Sequence, residues 1–172
     1  MNIPVLETER LLLRGFCDND LDDVTAIFDD EHVTQHLVLT TKLLDRKGGH
    51  SIIMDALDQW KSRGFGPWAA EEKASGSVIG RIGLNYPDGW PGGEVGWTLG
   101  RNWWGHGYAT EGARAAMKYA FDVLSWTDIV SVINPKNTRS IAVAMRLGHE
   151  LRHTWDRDGI KLLIYGQKNP GL

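Results

Sequence analysis

Between Tyr108 and Val123 apolar residues return every three or four positions, at Ala109, Ala113, Ala116, Met117, Ala120 and Phe121. That spacing lays them along one face of a helix, a face that must pack on something apolar. The same period at Leu21, Val24, Ala26, Ile27 and Phe28 predicts a helix over Asn19–Asp29, with Asp18 as its cap. It recurs at Ile52, Ile53, Ala56, Leu57 and Trp60, which places a helix between Thr41 and Ser62, with Gly48-Gly49 as a break. Short apolar runs bounded by turn residues predict strands at Arg10–Arg14, Trp68–Glu72, Val78–Tyr86, Glu94–Leu99 and Asp128–Ile133. Ala74–Ser77 reads as a turn and Pro87–Gly93 as a hairpin connection. A helix over Thr138–Leu147 follows. A last antiparallel pair, near Leu151–Trp155 and Lys161–Gln167, turns at Asp158-Gly159. No repeat, low-complexity segment or linker interrupts this order, so residues 1–172 read as a single domain.

Composition narrows the class. A chain of 172 residues, 42% hydrophobic and 24% charged, can bury a sizeable core. The net charge of −3, without a block of Lys and Arg, argues against nucleic acid as the main ligand. No apolar run reaches the roughly 20 residues of a membrane helix, and the first residues lack the apolar core of a signal peptide. Cytoplasmic location is the default expectation. The single cysteine, Cys17, excludes an internal disulfide. Eight tryptophans are many for this length and suit cores, clefts and interfaces. They leave monomer and homodimer equally open.

The richest chemistry lies where strand EVGWTL meets the turn RNWWGHG and the helix that begins at Tyr108. Gly105 and Gly107 stand just before that helix. A glycine turn there aims unpaired backbone N–H groups and the positive end of the helix dipole at an anion. The known phosphate loops do not fit. The dinucleotide fingerprint needs a third glycine where Thr110 stands. The mononucleotide loop needs Lys and Ser/Thr where His106 and Gly107 stand. His32 and His36 have a zinc-protease spacing but lack the adjacent Glu, and Asp18, Asp20 and Asp22 lack the glycine of a calcium loop, so no metal is expected.

Downstream, NPKNTRSIAVAMRLG at Asn134–Gly148 follows the strand ending at Ile133. With ETERLLLRGF at Glu7–Phe16, GFGPWAAEE at Gly64–Glu72, VIGRIGL at Val78–Leu84 and EVGWTLGRNWWGHGYATEGARA at Glu94–Ala115, the chain resembles the GNAT N-acetyltransferase superfamily. Within it, the chain is similar to the RimJ/RimL branch of ribosomal-protein alanine acetyltransferases. The resemblance covers about nine tenths of the chain. It implies a mixed α/β (α+β) fold: a mostly antiparallel twisted sheet of six or seven strands, flanked by about four helices, with the cofactor cleft between splayed central strands.

It also implies a reaction, direct acetyl transfer from acetyl-CoA to a primary amine, either a protein N-terminus or a small amine. Backbone around Trp104, Gly105, His106, Gly107, Tyr108, Ala109 and Thr110 is expected to hold the pyrophosphate. The strand edge Trp97–Thr98–Leu99 is expected to pair with the pantetheine arm as an added strand. An N–H near Thr98 or Leu99 would stabilise the oxyanion. An α-amine, with pKa about 7.7–8.0, is partly neutral at pH 7, whereas freeing a lysine amine costs roughly 4.6 kcal/mol. Glu94 is the candidate base, acting through water; its alternative is a solvated carboxylate at a hairpin end. Ser140 is the candidate partner of the leaving sulfur, its alternative a helix-start serine. Asn137 would serve cofactor, helix cap or both. His106 would meet phosphate or solvent, and Glu111 would complement the helix dipole. Trp68 and Trp90 are candidate walls of the acceptor pocket, with core packing favoured for Trp68. Three positions depart from the family pattern: Asn102 for Gln or Arg, Ala144 for a tyrosine, and His149 for a phenylalanine. A non-catalytic acyl-CoA-binding module or sensor is the rival reading, and a nucleotide-binding oxidoreductase a distant third.

Overall fold

The computed structural model describes residues 2–37 and 43–171. In chain order the elements are β1 (Leu6–Glu7), β2 (Leu11–Arg14), α1 (Leu21–Phe28), α2 (Glu31–Thr34), α3 (Arg46–Arg63), β3 (Pro67–Glu72), β4 (Val78–Asn85), β5 (Glu94–Leu99), α4 (Tyr108–Asp122), β6 (Asp128–Ile133), α5 (Thr138–Arg146), β7 (Glu150–Arg157) and β8 (Ile160–Lys168). The strands form one sheet in the order β1-β2-β3-β4-β5-β6-β8-β7. Neighbours run antiparallel except β5 and β6, which are parallel. The mixed α/β architecture is the expected one, with eight strands and five helices among the described residues. The two additions, β1 and α2, span two and four residues, too short to leave a periodic signal.

Two local expectations fail. Asp18 caps no helix: Asp18–Asp20 form a 3-10 turn and α1 starts at Leu21. Asp20 turns inward instead, taking both Arg14 Nη groups at 2.8 Å and the Cys17 N–H at 2.8 Å. Gly48-Gly49 does not break α3, which starts at Arg46 and runs through both. Asp45 Oδ1 caps it by accepting from Gly48 N at 2.9 Å. A Cβ on Gly49 would lie 2.4 Å from Thr25 Oγ1, so glycine here lets α3 touch α1. Residues 41 and 42, the start of the range expected for this helix, lie outside the described residues.

The periodic face of α4 is buried as its spacing demands. Ala113, Ala116 and Ala120 are fully enclosed in the same cluster as Leu11, Leu13, Ile82, Leu84 and Val95. Each large aliphatic side chain buried there stabilises the fold by roughly 1.5–3 kcal/mol. A second cluster joins Val24, Ile27 and Phe28 of α1 and Ile53 and Ala56 of α3 to Ala69 and Val78 of the sheet.

What matters for function happens between β5 and β6. Val130 N donates to Gly93 O at 2.8 Å, and Glu94 pairs with Val130. There the ladder stops. Ser131 Oγ donates to Val95 O at 2.7 Å, and Val132 N donates to the Glu94 carboxylate at 3.0 Å. Side chains thus replace backbone where the two strands part. Backbone groups alternate edges along a strand. Gly93 O and Val95 O point to β6, while Gly100 N bonds Ile79 O on the β4 side. Trp97 and Leu99 therefore turn their backbone polar groups into the opening, and Thr98 turns its own toward Arg81 on β4.

His149 follows Gly148, which leaves α5 at φ +89°. The ring is 3% exposed, and neither nitrogen finds a partner among the described residues. Burial, seconded by the Arg152 charge, pushes its pKa down to about 4.

Candidate active site

A cavity of about 1130 Å³ opens beside the start of α4. Gly105 and Gly107 sit at φ +81° and +86°, a region that other residues enter at a cost of roughly 1–2 kcal/mol. Space would accept a side chain at Gly105, since an added Cβ meets nothing within 4 Å. Backbone geometry, then, is the reason for glycine there. Gly107 leaves α4 without a side-chain cap. The first-turn N–H groups of Tyr108, Ala109 and Thr110, which no helix can satisfy internally, belong to residues of the cavity wall.

The turn is braced from the connection between β1 and β2. Glu111 accepts from Thr8 Oγ1 at 2.6 Å, from Arg10 N at 2.8 Å and from Arg10 Nε at 2.8 Å. Arg10 Nη1 reaches His106 O at 2.9 Å, and the guanidinium lies 4.5 Å from the Tyr108 ring centre. Burial works to raise the Glu111 pKa, but these donors outweigh it and the carboxylate stays below its ordinary range. Glu111 is therefore a brace tying the first strands to the helix start, beyond any service to the dipole.

Trp97, Thr98, Asn137 and Ser140 line this cavity and also a second one of about 440 Å³. Asn137 caps α5 by accepting from Ser140 N at 3.1 Å, so the cap expectation holds. Trp97 Nε1 donates to Ser140 Oγ at 3.3 Å. Trp104 Nε1 donates to Leu99 O at 2.8 Å, which occupies one carbonyl of the open edge.

Glu94 lines only the second cavity. It is 8% exposed, and burial pushes its pKa up to about 7 against the pull of the Val132 N–H, Trp90 and Arg81. The Trp90 indole N–H, although near enough to act on the carboxylate, has no partner at hydrogen-bond geometry among the described residues. We weigh it as an electrostatic neighbour. A solvated hairpin-end carboxylate is thus excluded: this one is buried.

Trp90 borders the second cavity. Trp68 does not. It is fully buried, donates to Pro4 O at 2.7 Å, and packs edge-on against Trp60 and Tyr119 at 4.8 and 5.5 Å. Asn102 is exposed and borders neither cavity. Ala144 is fully buried with Ile133 and Tyr165, so its side chain faces the core and not the opening. His32 is exposed on α2, whereas His36 is half-buried at the edge of both cavities.

Sequence reasoning missed the basic lining. Arg114 and Lys118 on α4, and Arg139 and Arg146 on α5, border the large cavity. Arg139 stacks on Trp104 at 4.7 Å. The i,i+4 spacing of Arg114 and Lys118 was a usable signal. The net charge of −3 hid it. Arg81, Asp55 and Gln59 of the second cavity had no motif to give them away.

Residues 10–150 match the family model described as an acetyltransferase (GNAT) domain. The chain is 31% identical over 148 residues to the uncharacterized N-acetyltransferase p20 of Bacillus licheniformis, covering 84% of this chain and 82% of that protein. It superposes on the crystal structure of an acetyltransferase from Agrobacterium tumefaciens strain C58 with a TM-score of 0.85 and 30% identity, over 98% of this chain and 96% of that one. The ribosomal-protein-S5-alanine acetyltransferase of Vibrio fischeri shares the fold, with a TM-score of 0.79 at 15% identity over 98% of both chains.

Proposed function

The chain belongs to the GNAT acetyltransferase family and is an acetyltransferase, and from that premise we propose direct acetyl transfer from acetyl-CoA to a primary amine with Glu94 as the base. One observation carries the reading: a carboxyl buried in the second cavity, its pKa raised by burial to about 7, stands where β5 and β6 part. A base works best when its pKa lies near the working pH.

Acetyl-CoA fits the large cavity by the chemistry of its wall. The glycine turn and the N–H groups of Tyr108, Ala109 and Thr110 suit a pyrophosphate. Arg114, Lys118, Arg139 and Arg146 add positive charge along α4 and α5. The open edge at Trp97 and Leu99 suits an amide-bearing arm, with Leu99 O withdrawn by Trp104. When bound, this co-substrate supplies an acetyl group activated as a thioester. The amine nitrogen bonds to the carbonyl carbon, and the carbon–sulfur bond breaks. The ammonium proton passes to Glu94 through water. Of the two donors considered for the oxyanion, strand alternation favours Leu99 N–H over Thr98 N–H. The thiolate leaves toward Ser140.

The test is Glu94→Gln, assayed as thiol release with a panel of amines. Turnover should fall by about 10²–10⁴-fold. Acetyl-CoA should still protect the variant from heat, by about 5–10 °C at 100 times its dissociation constant. Wild-type turnover in the variant would remove Glu94 from the chemistry. Wild-type protein that binds acetyl-CoA and acetylates no amine would instead be the acyl-CoA-binding module.

A further inference from the structure

The floor of the second cavity is laid by β4 and β5. Their register sets Arg81 opposite Thr98, Gly83 opposite Gly96, and Asn85 opposite Glu94. Alternation puts these three pairs on one face of the sheet. A cation thus stands at one end of the floor, the candidate base stands at the other, and two glycines lie between them. Thr98, the partner of Arg81, borders both cavities. Arg81 therefore sits beside the junction and away from the outer rim.

Arg81 differs from the paired arginines of this protein. Arg10, Arg14, Arg46, Arg63 and Arg152 each hold a carboxylate. The Arg81 guanidinium has neither an ion pair nor a hydrogen bond among the described residues. It lies 5.4 Å from the centre of the Phe28 ring. Asp55 and Glu94 also border the cavity, but neither comes within ion-pair distance of it. Among the described residues Arg81 is the sole Lys or Arg on this wall. Burial pulls its pKa down, the mark of a cation short of compensation.

We propose that the acceptor is a small amine that also carries a carboxylate, as a free amino acid does, and that Arg81 binds that carboxylate while the amine lies over Gly96 toward Glu94. This rests on the acetyltransferase reading above. The planar fork of an arginine matches a carboxylate in two parallel hydrogen bonds. One cation balances one negative charge, whereas a phosphate dianion would call for more. A volume of about 440 Å³ lies in the range of small-ligand sites. The N-terminus of a protein offers an amide where this site offers a cation. A polyamine would bring a second cation against Arg81.

The experiment follows thiol release from acetyl-CoA with three sets of acceptors: free α-amino acids, the corresponding α-amino amides, and diamines. The amide is the weaker base, so more of it is neutral at a given pH. A preference for the acid therefore cannot come from intrinsic reactivity. Expected is a tenfold or larger advantage in kcat/KM for the acids. In Arg81→Met the ratio of kcat/KM for acid over amide should fall to about one through a rise in KM for the acids, while any loss of kcat through the Glu94 carboxyl is shared by acids and amides alike. Amides, diamines or peptides used as well as the acids would overturn the proposal, as would a preference that survives in Arg81→Met. Should the variant fail to fold, the acid-against-amide comparison on the wild-type protein decides alone. If no amine releases thiol although acetyl-CoA protects the fold, the transfer reading itself is lost and this inference falls with it.

Discussion

The two cavities that meet at Trp97 and Thr98 are made of different material. The larger is built on backbone: a helix start without a cap, two glycines at positive φ, and a strand edge released by its neighbour. The smaller is built on side chains: Glu94, Arg81, Asp55, Gln59 and Trp90 on a floor of glycine. Backbone donors depend on the fold and hardly on residue identity, so they suit a ligand that stays constant. Side chains change one substitution at a time, so they suit a ligand that differs between relatives. Where the two meet, side chains take over backbone positions, as the Glu94 carboxylate does for Val132 N. If the division holds, damage to one wall should spare the ligand of the other.

The largest effect is expected at Glu94, which belongs wholly to the side-chain wall. Its folded pKa of about 7 lies above the ordinary 4.5. With Glu94 as base only its ionised form is active, so kcat/KM per neutral amine should fall about tenfold per pH unit below 7, and Glu94→Gln should flatten that limb. Stability runs the other way. A raised carboxyl pKa costs nothing below pH 4.5, where folded and unfolded states are both protonated. The cost grows from pH 4.5 to 7 and reaches about 3 kcal/mol above that. Thermal melts should therefore show Glu94→Gln more stable than wild type at pH 8 and equal to it near pH 4. A wild-type limb centred near pH 5 would mean that Glu94 is better solvated than its burial indicates.

A matched pair of glycine substitutions addresses the division directly. An added Cβ meets nothing within 4 Å at either Gly96 or Gly105. Gly96→Val fills the floor of the smaller cavity at a strand position that welcomes β-branched residues. Acceptor KM should rise by tenfold or more, with acetyl-CoA affinity unchanged. Gly105→Val strains a positive-φ turn and should weaken acetyl-CoA by about tenfold, with acceptor KM unchanged. Isothermal titration with acetyl-CoA, beside acceptor kinetics, reads both. A crossed result, with Gly96→Val weakening acetyl-CoA, would show one continuous site.

The same division explains what could be read ahead of the structure. The α4 stripe, the glycine turn and the strand segments rest on period and on backbone geometry, and both leave marks in sequence. The Asn137 cap was legible because a cap needs a short polar residue at the helix start. The side-chain wall was not legible. Arg81 looks like any outward residue of a strand until Phe28 and Gly83 are in place. Trp68 packs in the core, the reading favoured for it, since a tryptophan signals burial without saying whether it lines a core or a cleft. Gly48-Gly49 was misjudged because what it permits, the approach of Thr25, lies more than twenty residues away in the chain.

His149 serves as a control outside both walls. It is buried like Glu94, but its ring meets no partner and faces neither cavity. Its folded pKa of about 4 lies below the ordinary 6.5. Its contribution is therefore intact above pH 6.5 and is lost as pH falls from 6.5 toward 4. His149→Phe should remove two unsatisfied nitrogens and raise stability by about 1–3 kcal/mol at neutral pH, more in acid, while kcat stays unchanged. Denaturant melts at pH 5 and 7 measure it. A change in kcat would tie this buried ring to the junction after all.

Ser140 sits on the seam, and the smallest effect is expected there. Its backbone N–H serves the Asn137 cap, whereas its hydroxyl faces Trp97 Nε1. Ser140→Ala therefore keeps the cap and deletes only the hydroxyl. A thiol of pKa about 8.5 leaves readily as thiolate, so one hydrogen bond is all the departing sulfur requires. Losing it is worth about 0.5–1.5 kcal/mol, a two- to tenfold drop in kcat. Such a drop, with the basic limb of the pH profile unmoved, assigns the hydroxyl to hydrogen bonding. A drop beyond a hundredfold, with the basic limb gone, assigns it to proton transfer instead. The seam would then carry a second titrating group, and a division into a backbone wall and a side-chain wall would fail at the point where they join.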